Sequence, residues 1–441
     1  MDHESAPVRP PTFREALRFW LKLGFISFGG PTGQIAIMHA ELVDRRRWIS
    51  ETRFLHALNY CMLLPGPEAQ QLATYIGWLL HRTLGGLVAG TLFVLPSAIL
   101  LWMLSYVYVR YGAVPWIAAV FEGLKPAVAA IVVHAVFRIG KRVLRNPAMW
   151  IVAVAAFSAI YFAKVPFPII ILAAGIAGLL GERIRPEWFR VLKPHSSRPV
   201  TGSILDDHDT TPDHARTSWT RALRVAMIGL ILWWAPVAVA AAWLGRDHTL
   251  SREGFFFSKA AVVTFGGAYA VLPYVAQQAV ERFHWLSAPQ MLDGLGLAET
   301  TPGPLIMVLQ FIGFLGGWHQ PGSFSPLLAA TLGAALTTWV TFVPCFLWIF
   351  LGAPYVERLR GKQNLTAALS AITAAVVGVV LNLAVWFGYH VLIPQPGQAN
   401  WFAVVLGGSA FAVLVGTKFG VVPVVLGSGV AGLIFHGLTR N

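Results

Sequence analysis

Charged residues are scarce in this chain of 441 residues. Asp, Glu, Lys and Arg make up 12% of it, hydrophobic residues make up 56%, and the mean hydropathy is +0.63. A water-soluble globular domain carries roughly 25% charged residues. The composition therefore excludes an ordinary soluble domain and predicts a protein of the lipid bilayer.

Cysteines and known catalytic motifs are also nearly absent. Cys61 and Cys345 are the only cysteines, and both lie in apolar stretches, which excludes a disulfide framework and predicts two buried thiols. The chain has no Gly-x-x-x-x-Gly-Lys-Ser/Thr loop for ATP, no His-Glu-x-x-His pair and no Cys/His cluster. We therefore predict no cofactor, no metal site and no enzymatic activity. The polar, Pro-rich N-terminal residues predict no removable signal peptide.

Long apolar runs are the most prominent feature that the sequence does have. Five runs reach the roughly 20 apolar residues that span a bilayer. They predict transmembrane helices at 84–111, 115–139, 219–244, 324–351 and 367–391. Four shorter runs are also expected to cross, at 147–163, 166–181, 401–415 and 419–435. Tryptophans near the ends of such runs, including Trp48, Trp78 and Trp285, are typical of interfacial anchors.

A block of residues recurs once along the chain, with every member displaced by 237 positions (265 − 28 = 237). The first copy consists of Phe28-Gly29-Gly30, Trp48, Ser50 and Pro65-Gly66-Pro67. The second copy consists of Phe265-Gly266-Gly267, Trp285, Ser287 and Pro302-Gly303-Pro304. A duplication built around helix-breaking residues in apolar sequence is typical of secondary transporters.

The positive charge of the chain, formally +13, is concentrated in loops and predicts topology rather than a nucleic-acid partner. The basic segments are 45–47, 81–82, 138–145 and the polar linker 181–218. The positive-inside rule places them in the cytoplasm. The following run, 219–244, has no counterpart in the first half and would carry the chain across before the second copy begins.

Two loops exchange their charge between the halves. The first is nearly uncharged at 111–114 and basic at its counterpart 356–362; the second is basic at 138–145 and uncharged at 393–398. This exchange predicts an inverted topology, although Arg282 would then lie outside. The predicted boundaries are a polar N-terminal tail at 1–12, a first repeat at 13–181, a cytoplasmic linker at 182–218, a connecting transmembrane helix at 219–245 and a second repeat at 246–441.

Gly-Gly and Pro-Gly-Pro interrupt the helices of both halves. Proline lacks an amide hydrogen and glycine leaves helical angles at little steric cost, so backbone groups are freed at membrane depth. Half-helices starting near Pro67 and Pro304 would present free N–H groups to an anion. A simple proline kink packed against a neighbouring helix is the alternative.

Carboxyl groups near these breaks are candidate proton carriers, because a buried carboxylate is costly unless it is protonated or paired. Glu68 is the first candidate, and a helix cap facing water is its alternative role. Glu299 and Glu122 are further candidates, although Glu122 is placed to form a structural ion pair with Lys125 three residues on.

The residues around these breaks resemble the chromate ion transporter (CHR) family in its long, two-domain form. The resemblance rests on Phe28-Gly29-Gly30-Pro31, Arg47-Trp48-Ile49, Leu64-Pro65-Gly66-Pro67-Glu68-Ala69-Gln70-Gln71, Thr264-Phe265-Gly266-Gly267 and Thr301-Pro302-Gly303-Pro304. It implies an all-α polytopic protein of the bacterial inner membrane that exports chromate, driven by the proton motive force, and confers chromate resistance. Sulfate has the same tetrahedral dianionic shape and stays an alternative substrate.

Combined with that resemblance, the breaks predict alternating access around an anion site between two inverted repeats. The residues expected to bind the anion are Gly29, Gly30, Gly66, Pro67, Gln70, Gln71, Gly266, Gly267, Thr300, Thr301, Gly303 and Pro304. Arg47 and Arg82 are expected to attract it to the cytoplasmic mouth, or else to mark topology alone. A passive anion channel would share the breaks and need no proton carrier, and an oxyanion-reducing enzyme has no cofactor motif in its favour. The partners expected are the anion, protons and the lipid bilayer; homodimerisation is left open, since no surface for it is visible.

Overall fold

A computed structural model describes residues 9–28, 30–189, 218–355, 363–394, 397–417 and 419–439. These residues are almost entirely helical. The first half comprises α1 (Phe13–Ile26), α2 (Gly30–His39) continued by a π-helical turn (Ala40–Arg45), α3 (Glu51–Cys61), α4 (Glu68–Tyr111), α5 (Pro115–Val143), α6 (Pro147–Tyr161), α7 (Phe167–Ile184) and the short α8 (Pro186–Phe189).

The second half repeats this order after α9 (Trp219–Leu244), which has no counterpart in the first. It comprises α10 (Thr249–Val263), α11 (Ala268–Gln277) with a π-helical turn (Gln278–Arg282), α12 (Ala288–Thr300), a 3₁₀ turn (Leu305–Met307), α13 (Val308–His319), α14 (Pro326–Gly352) with a 3₁₀ turn (Ala353–Tyr355), α15 (Gln363–Leu392), α16 (Trp401–Gly416) and α17 (Val421–Thr439). Each predicted crossing coincides with one of these helices.

The sequence signals that begin and end these helices are the same in both halves. Ser50 caps α3 and Ser287 caps α12, each accepting a hydrogen bond from the backbone N–H three residues on. The residue before each repeated tryptophan, Arg47 or His284, adopts a positive φ of 53° or 52°. The duplicated sequence therefore produces a duplicated local structure.

α4 is a helical hairpin rather than one straight helix. His81 and Arg82 have non-helical backbone angles, and a Cβ built at Gly77 would lie 2.6 Å from Cβ of Ala89. Residues twelve apart on a straight helix are about 18 Å apart, so the chain reverses at the turn predicted at 81–82. The arm 68–80 is thus a half-helix, equivalent to α13, and the arm 83–111 is equivalent to α14.

The long helices interlock the two halves. α5 packs against α16 and α17 of the second half, and its counterpart α15 packs against α6 and α7 of the first. Among the described residues, seven helices are long and apolar enough to span a membrane: α4, α5, α7, α9, α14, α15 and α17. The apolar helices α6 and α16 are shorter. The protein is therefore an all-α, multi-pass membrane protein.

Some sequence predictions of boundaries and environment were wrong. α5 extends to Val143, so the segment 138–143 is helical and not a loop. α7 continues to Ile184, past the predicted start of the linker at 182. Trp48, Trp78 and Trp285 are buried in the protein and not interfacial anchors, because the repeated block folds inward around them. The thiols of Cys61 and Cys345 are buried as predicted. Gly29, most of the linker (190–217) and the basic loop 356–362 lie outside the described residues.

Candidate functional site at the helix breaks

The two Pro-Gly-Pro breaks meet the opposite halves of the protein through a reciprocal pair of backbone hydrogen bonds. The N–H of Gly66 donates to the carbonyl of Thr264 over 2.7 Å, and the N–H of Gly303 donates to the carbonyl of Ser27 over 2.8 Å. Donors and acceptors correspond by the repeat displacement (303 − 66 = 237; 264 − 27 = 237). The Pro-Gly-Pro of each half is thus fixed to the residues preceding the Gly-Gly of the other.

Glycine is required at these breaks by backbone geometry. Gly66 and Gly303 have φ values of 124° and 99°, a region that residues with a Cβ rarely adopt. A Cβ at Gly66 would lie 2.7 Å from Sγ of Cys345, and one at Gly303 would lie 2.7 Å from Cβ of Ser97. At the Gly-Gly breaks of the two halves, Gly30, Gly266 and Gly267 also have positive φ values, of 68°, 80° and 91°.

Buried glutamines bind the carbonyls that the breaks set free. Nε2 of Gln34 donates to the carbonyl of Gly303 over 2.6 Å, and Nε2 of Gln71 donates to the carbonyl of Pro65 over 2.8 Å. Gln70 donates to the hydroxyl of Thr74. The three amide oxygens of these glutamines are buried and have no hydrogen-bond partner among the described residues. The breaks are therefore polar inside a largely apolar protein. Sequence analysis had missed Gln34, which lies in α2 and whose counterpart in α11 is Val271.

We expect Gln34→Ala to destabilise the fold, because the carbonyl of Gly303 would lose its side-chain donor in a buried position. An unsatisfied buried group costs about 1–3 kcal/mol. The measurement is the thermal unfolding temperature of the purified protein in detergent, with the exposed Gln398→Ala as the matched control. Equal unfolding temperatures for the two variants would contradict a structural role for the Gln34 amide.

Two arginines of α5 face the carboxylates of the two breaks. Arg142 interacts electrostatically with Glu68, the first residue of α4. One helical turn earlier, the guanidinium of Arg138 lies 5.9 Å from the ring centre of Tyr269. The hydroxyl of Tyr269 donates to the buried carboxylate of Glu299, with which Arg138 also interacts electrostatically. One face of α5 therefore brings positive charge to both breaks.

These arginines were assigned to a basic loop by sequence analysis, and their role at the breaks was missed. The signal that could have identified them is their spacing of four residues, which places them on one face if the helix continues. Continuation of α5 past residue 139 was not evident, because its last turns are strongly basic.

Glu122 forms the predicted pair with Lys125, with Nζ and Oε1 2.5 Å apart. Lys125 also interacts electrostatically with Asp293, a buried carboxylate in α12 that accepts a hydrogen bond of 2.8 Å from the hydroxyl of Tyr108. Sequence analysis had not singled out Asp293. Glu122 is therefore part of an ionic cluster that joins the two halves.

The other predicted site residues have simpler surroundings. Thr300 and Thr301 donate their hydroxyl hydrogens to carbonyls of their own helix. Pro67 immediately precedes α4, whereas Pro304 precedes the 3₁₀ turn that leads into α13. Arg47 and Arg82 are exposed at turns, with φ values of 53° and 55°.

The two breaks differ in how far they are exposed. In the first half, residues 62–65 and Glu68 are half-buried, residues 66–67 and 69–79 are buried, and Arg142 near Glu68 is exposed. In the second half, every residue from 301 to 317 is buried. The first Pro-Gly-Pro break is thus more exposed than the second.

A comparison with known protein families identifies the family to which the chain belongs. The sequence profile described as "Chromate transporter" matches residues 14–179 and 253–433, that is, both copies of the repeated series of helices. The chain belongs to the chromate transporter family. The members of this family are transporters, so the protein is a transporter and not an enzyme.

Individual relatives extend over nearly the whole chain. It is 31% identical over 442 residues to a chromate transport protein of Pseudomonas aeruginosa, covering 98% of this chain and 95% of that one. It is 28% identical over 386 residues to a chromate transport protein of Cupriavidus metallidurans, covering 87% of this chain and 85% of that one. A probable chromate transport protein of Synechococcus elongatus is 27% identical over 386 residues, with 87% of each chain covered. No solved structure matches the chain significantly.

Proposed function

We propose that this protein exports chromate from the cytoplasm through the bacterial inner membrane, driven by the proton motive force, and that it confers chromate resistance. The observation that carries the proposal is the pair of arginines, Arg142 and Arg138, one near the carboxylate of each helix break in a member of the chromate transporter family. The relatives named chromate transport proteins favour chromate as the substrate.

The chemistry of the breaks suits a tetrahedral dianion. Guanidinium groups present planar forks of N–H donors that match oxyanions, and the first turn of α4 contributes the positive end of its dipole. Gly30, Gly66, Gly266, Gly267 and Gly303 shape the opened backbone, while Gln70 and Gln71 supply polar contacts. Thr300 and Thr301 donate their hydroxyl hydrogens to carbonyls of their own helix in the present state. To bind the anion, these hydroxyls reorient and donate to it instead. Arg47 and Arg82 attract the anion to the cytoplasmic mouth.

The unequal exposure of the two breaks supports a mechanism of alternating access. The present conformation is open towards the end of α5, which is basic and cytoplasmic by the positive-inside rule. The two halves have the same series of helices, so exchanging their conformations would close the first break and open the second. If the repeats are inverted, the second opening faces the opposite side of the membrane. The exchange of loop charge between the halves supports this inversion. The reciprocal hydrogen bonds of Gly66 and Gly303 are consistent with a twofold relation between the halves.

Membrane potential and pH gradient contribute separately to export. One elementary charge gains about 2.3 kcal/mol per 100 mV, so the exit of a dianion from a negative interior is favoured before any proton is coupled. Proton antiport adds the pH gradient to this driving force. Glu68, half-buried on the open side, is our candidate for the carboxyl that carries the proton, and Glu299 is the candidate at the second break.

The test is uptake of radiolabelled chromate into everted membrane vesicles, with the pH gradient and the membrane potential imposed separately. We expect accumulation to rise with an acidic lumen at constant potential, compared with vesicles lacking the protein. Accumulation that follows the potential alone contradicts antiport and indicates a channel. Stronger inhibition by sulfate than by unlabelled chromate contradicts the assigned substrate.

We expect Arg142→Gln to raise the KM for chromate about tenfold or more, which corresponds to about 1.4 kcal/mol of lost binding, because the guanidinium is the positive group beside Glu68. The matched control is Arg145→Gln, an exposed arginine three residues on, outside α5. The measurement is the concentration dependence of chromate uptake. The same KM in both variants would show that Arg142 does not contact the anion.

A further inference from the structure

Glu253 is a fully buried carboxyl group that the proposed transport site does not use. It lies in the second turn of α10 with no exposed surface. Neither of its carboxylate oxygens has a hydrogen-bond partner among the described residues. A buried ion without a partner is strongly unfavourable, so the group requires a specific explanation.

The surrounding helices leave space for this carboxyl group. A Cβ at Gly333 of α14 would lie 2.8 Å from Oε2 of Glu253, and a Cβ at Gly316 of α13 would contact its Oε1. Side chains at either position would displace the carboxyl. The two glycines therefore form a cradle between α13 and α14 that fits the end of this side chain.

Unpaired hydrogen-bond donors border the same cradle. A Cβ at Gly316 would also lie 3.3 Å from Cδ1 of Trp285, so the indole of Trp285 borders the cradle. The Nε1 atom of this indole is buried and has no partner among the described residues. Oγ1 of Thr337, one turn after Gly333 on α14, is also buried and unpaired in the described part of the chain. Two buried polar atoms without a partner among the described residues thus lie on the elements that form the cradle, as at a site that exchanges a proton or holds water.

No charged side chain in the described part of the chain compensates Glu253. α11 and α14 contain no Asp, Glu, Lys, Arg or His, and none of the described charged groups on the packed elements interacts electrostatically with it. Those groups, together with the histidines, are Arg221, Arg224, Arg246, Asp247, His248, Arg252, Lys259, Glu281, Arg282, His284 and His319. Burial lowers the pKa of His248, which keeps this N-cap residue neutral. A proton is therefore the simplest means of neutralising Glu253.

The first half has no equivalent group. The position that corresponds to Glu253 is Ala16 (253 − 237 = 16), although Trp48 corresponds to Trp285. A carboxyl required only by the repeated fold would be present in both halves. Its restriction to one half indicates a task that only one side of the membrane requires.

We propose that Glu253 is a proton-binding site, loaded from the membrane face at which α10 begins. In the proposed topology this is the external face, where protons enter during export. Exposed His319 lies one turn after Gly316 on α13, and its Nδ1 is 2.7 Å from the carbonyl oxygen of Trp285, so it marks the mouth of the path. The role in coupling rests on the proposed proton-driven export, whereas proton binding itself does not.

The decisive measurement is the infrared difference spectrum of the full-length protein in lipid vesicles between acidic and alkaline buffer. We expect a band of a protonated carboxyl group that disappears in Glu253→Gln and persists in Asp247→Asn, an exposed carboxylate near the same helix end. The Glu253→Asp variant retains an acid and is expected to shift the band rather than remove it. If Glu253→Gln fails to fold, the shift of the carboxyl band in Glu253→Asp tests the proposal. A spectrum that neither variant changes overturns the proposal.

Transport in the same vesicles tests the coupling role. At a fixed membrane potential we expect Glu253→Gln to flatten the dependence of chromate uptake on luminal pH, and Glu253→Asp to restore it with a displaced midpoint. A wild-type pH profile in Glu253→Gln overturns the coupling role. If the wild-type protein itself ignores the pH gradient, the proposed antiport fails, and the infrared band alone then decides whether Glu253 binds a proton.

Discussion

Replacing Glu68 by glutamine is expected to abolish chromate accumulation driven by the pH gradient and to leave flux driven by the membrane potential. Glutamine has nearly the same shape as glutamate but cannot release or bind a proton at this position. The substitution also leaves Arg142 without its neighbouring negative charge, so binding of the dianion is not expected to weaken. The measurement is vesicle uptake with each gradient imposed alone.

The control for this prediction is Glu51→Gln, which removes a carboxylate of the first half outside the breaks, where it contacts His39 at 2.5 Å. This variant is expected to retain the response to the pH gradient. A Glu68→Gln protein that is folded and inserted, and that responds to the pH gradient as the wild type does, would refute Glu68 as the proton carrier. Loss of both modes of flux would instead indicate that Glu68 shapes the pathway.

Gly303→Ala is expected to produce a large loss of folded, active protein. Its φ of 99° is strained for any residue with a side chain, at about 1–3 kcal/mol. The new Cβ would also lie 2.7 Å from Cβ of Ser97, and overpacking of this kind costs about 1–3 kcal/mol more. The hydrogen bond from Gly303 to Ser27 would be disturbed, and the two halves would lose part of their contact.

Gly427→Ala provides the matched control, because a Cβ at that position of α17 meets no atom within 4 Å and alanine favours the helix. Yield of monodisperse protein, thermal unfolding temperature and chromate uptake should all fall in Gly303→Ala and stay near wild-type values in Gly427→Ala. Normal folding of Gly303→Ala would mean that the break tolerates a relaxed backbone.

The candidate site was only partly predictable from sequence. Glu68 and the Pro-Gly-Pro breaks are visible because carboxyl groups and helix-breaking residues stand out in apolar sequence. Arg138 and Arg142 are equally visible, but a basic run at the end of an apolar segment is also the usual mark of a cytoplasmic loop. Whether they are loop or site depends on where α5 ends and on which helices pack against it.

Glu253 illustrates the same limit from the opposite direction. Its sequence neighbours include exposed Arg252 and the exposed turn at 245–247, so nothing local distinguishes it from a surface carboxylate. Only the approach of α13 and α14, at glycines 63 and 80 residues further on (316 − 253 = 63; 333 − 253 = 80), buries it without a partner among the described residues.

The sequence by itself determined the membrane environment, the helical spans, the duplication and the positions of the breaks. Each of these depends on composition, on the length of apolar runs or on residues such as proline and glycine, whose backbone effects are local. The tertiary structure alone decided that each break pairs with the other half, that α5 brings two arginines to the carboxylates, and that one break is more exposed than the other. These contacts join residues that are between 74 and 276 positions apart (142 − 68 = 74; 303 − 27 = 276). They depend on how helices pack, which no local pattern encodes.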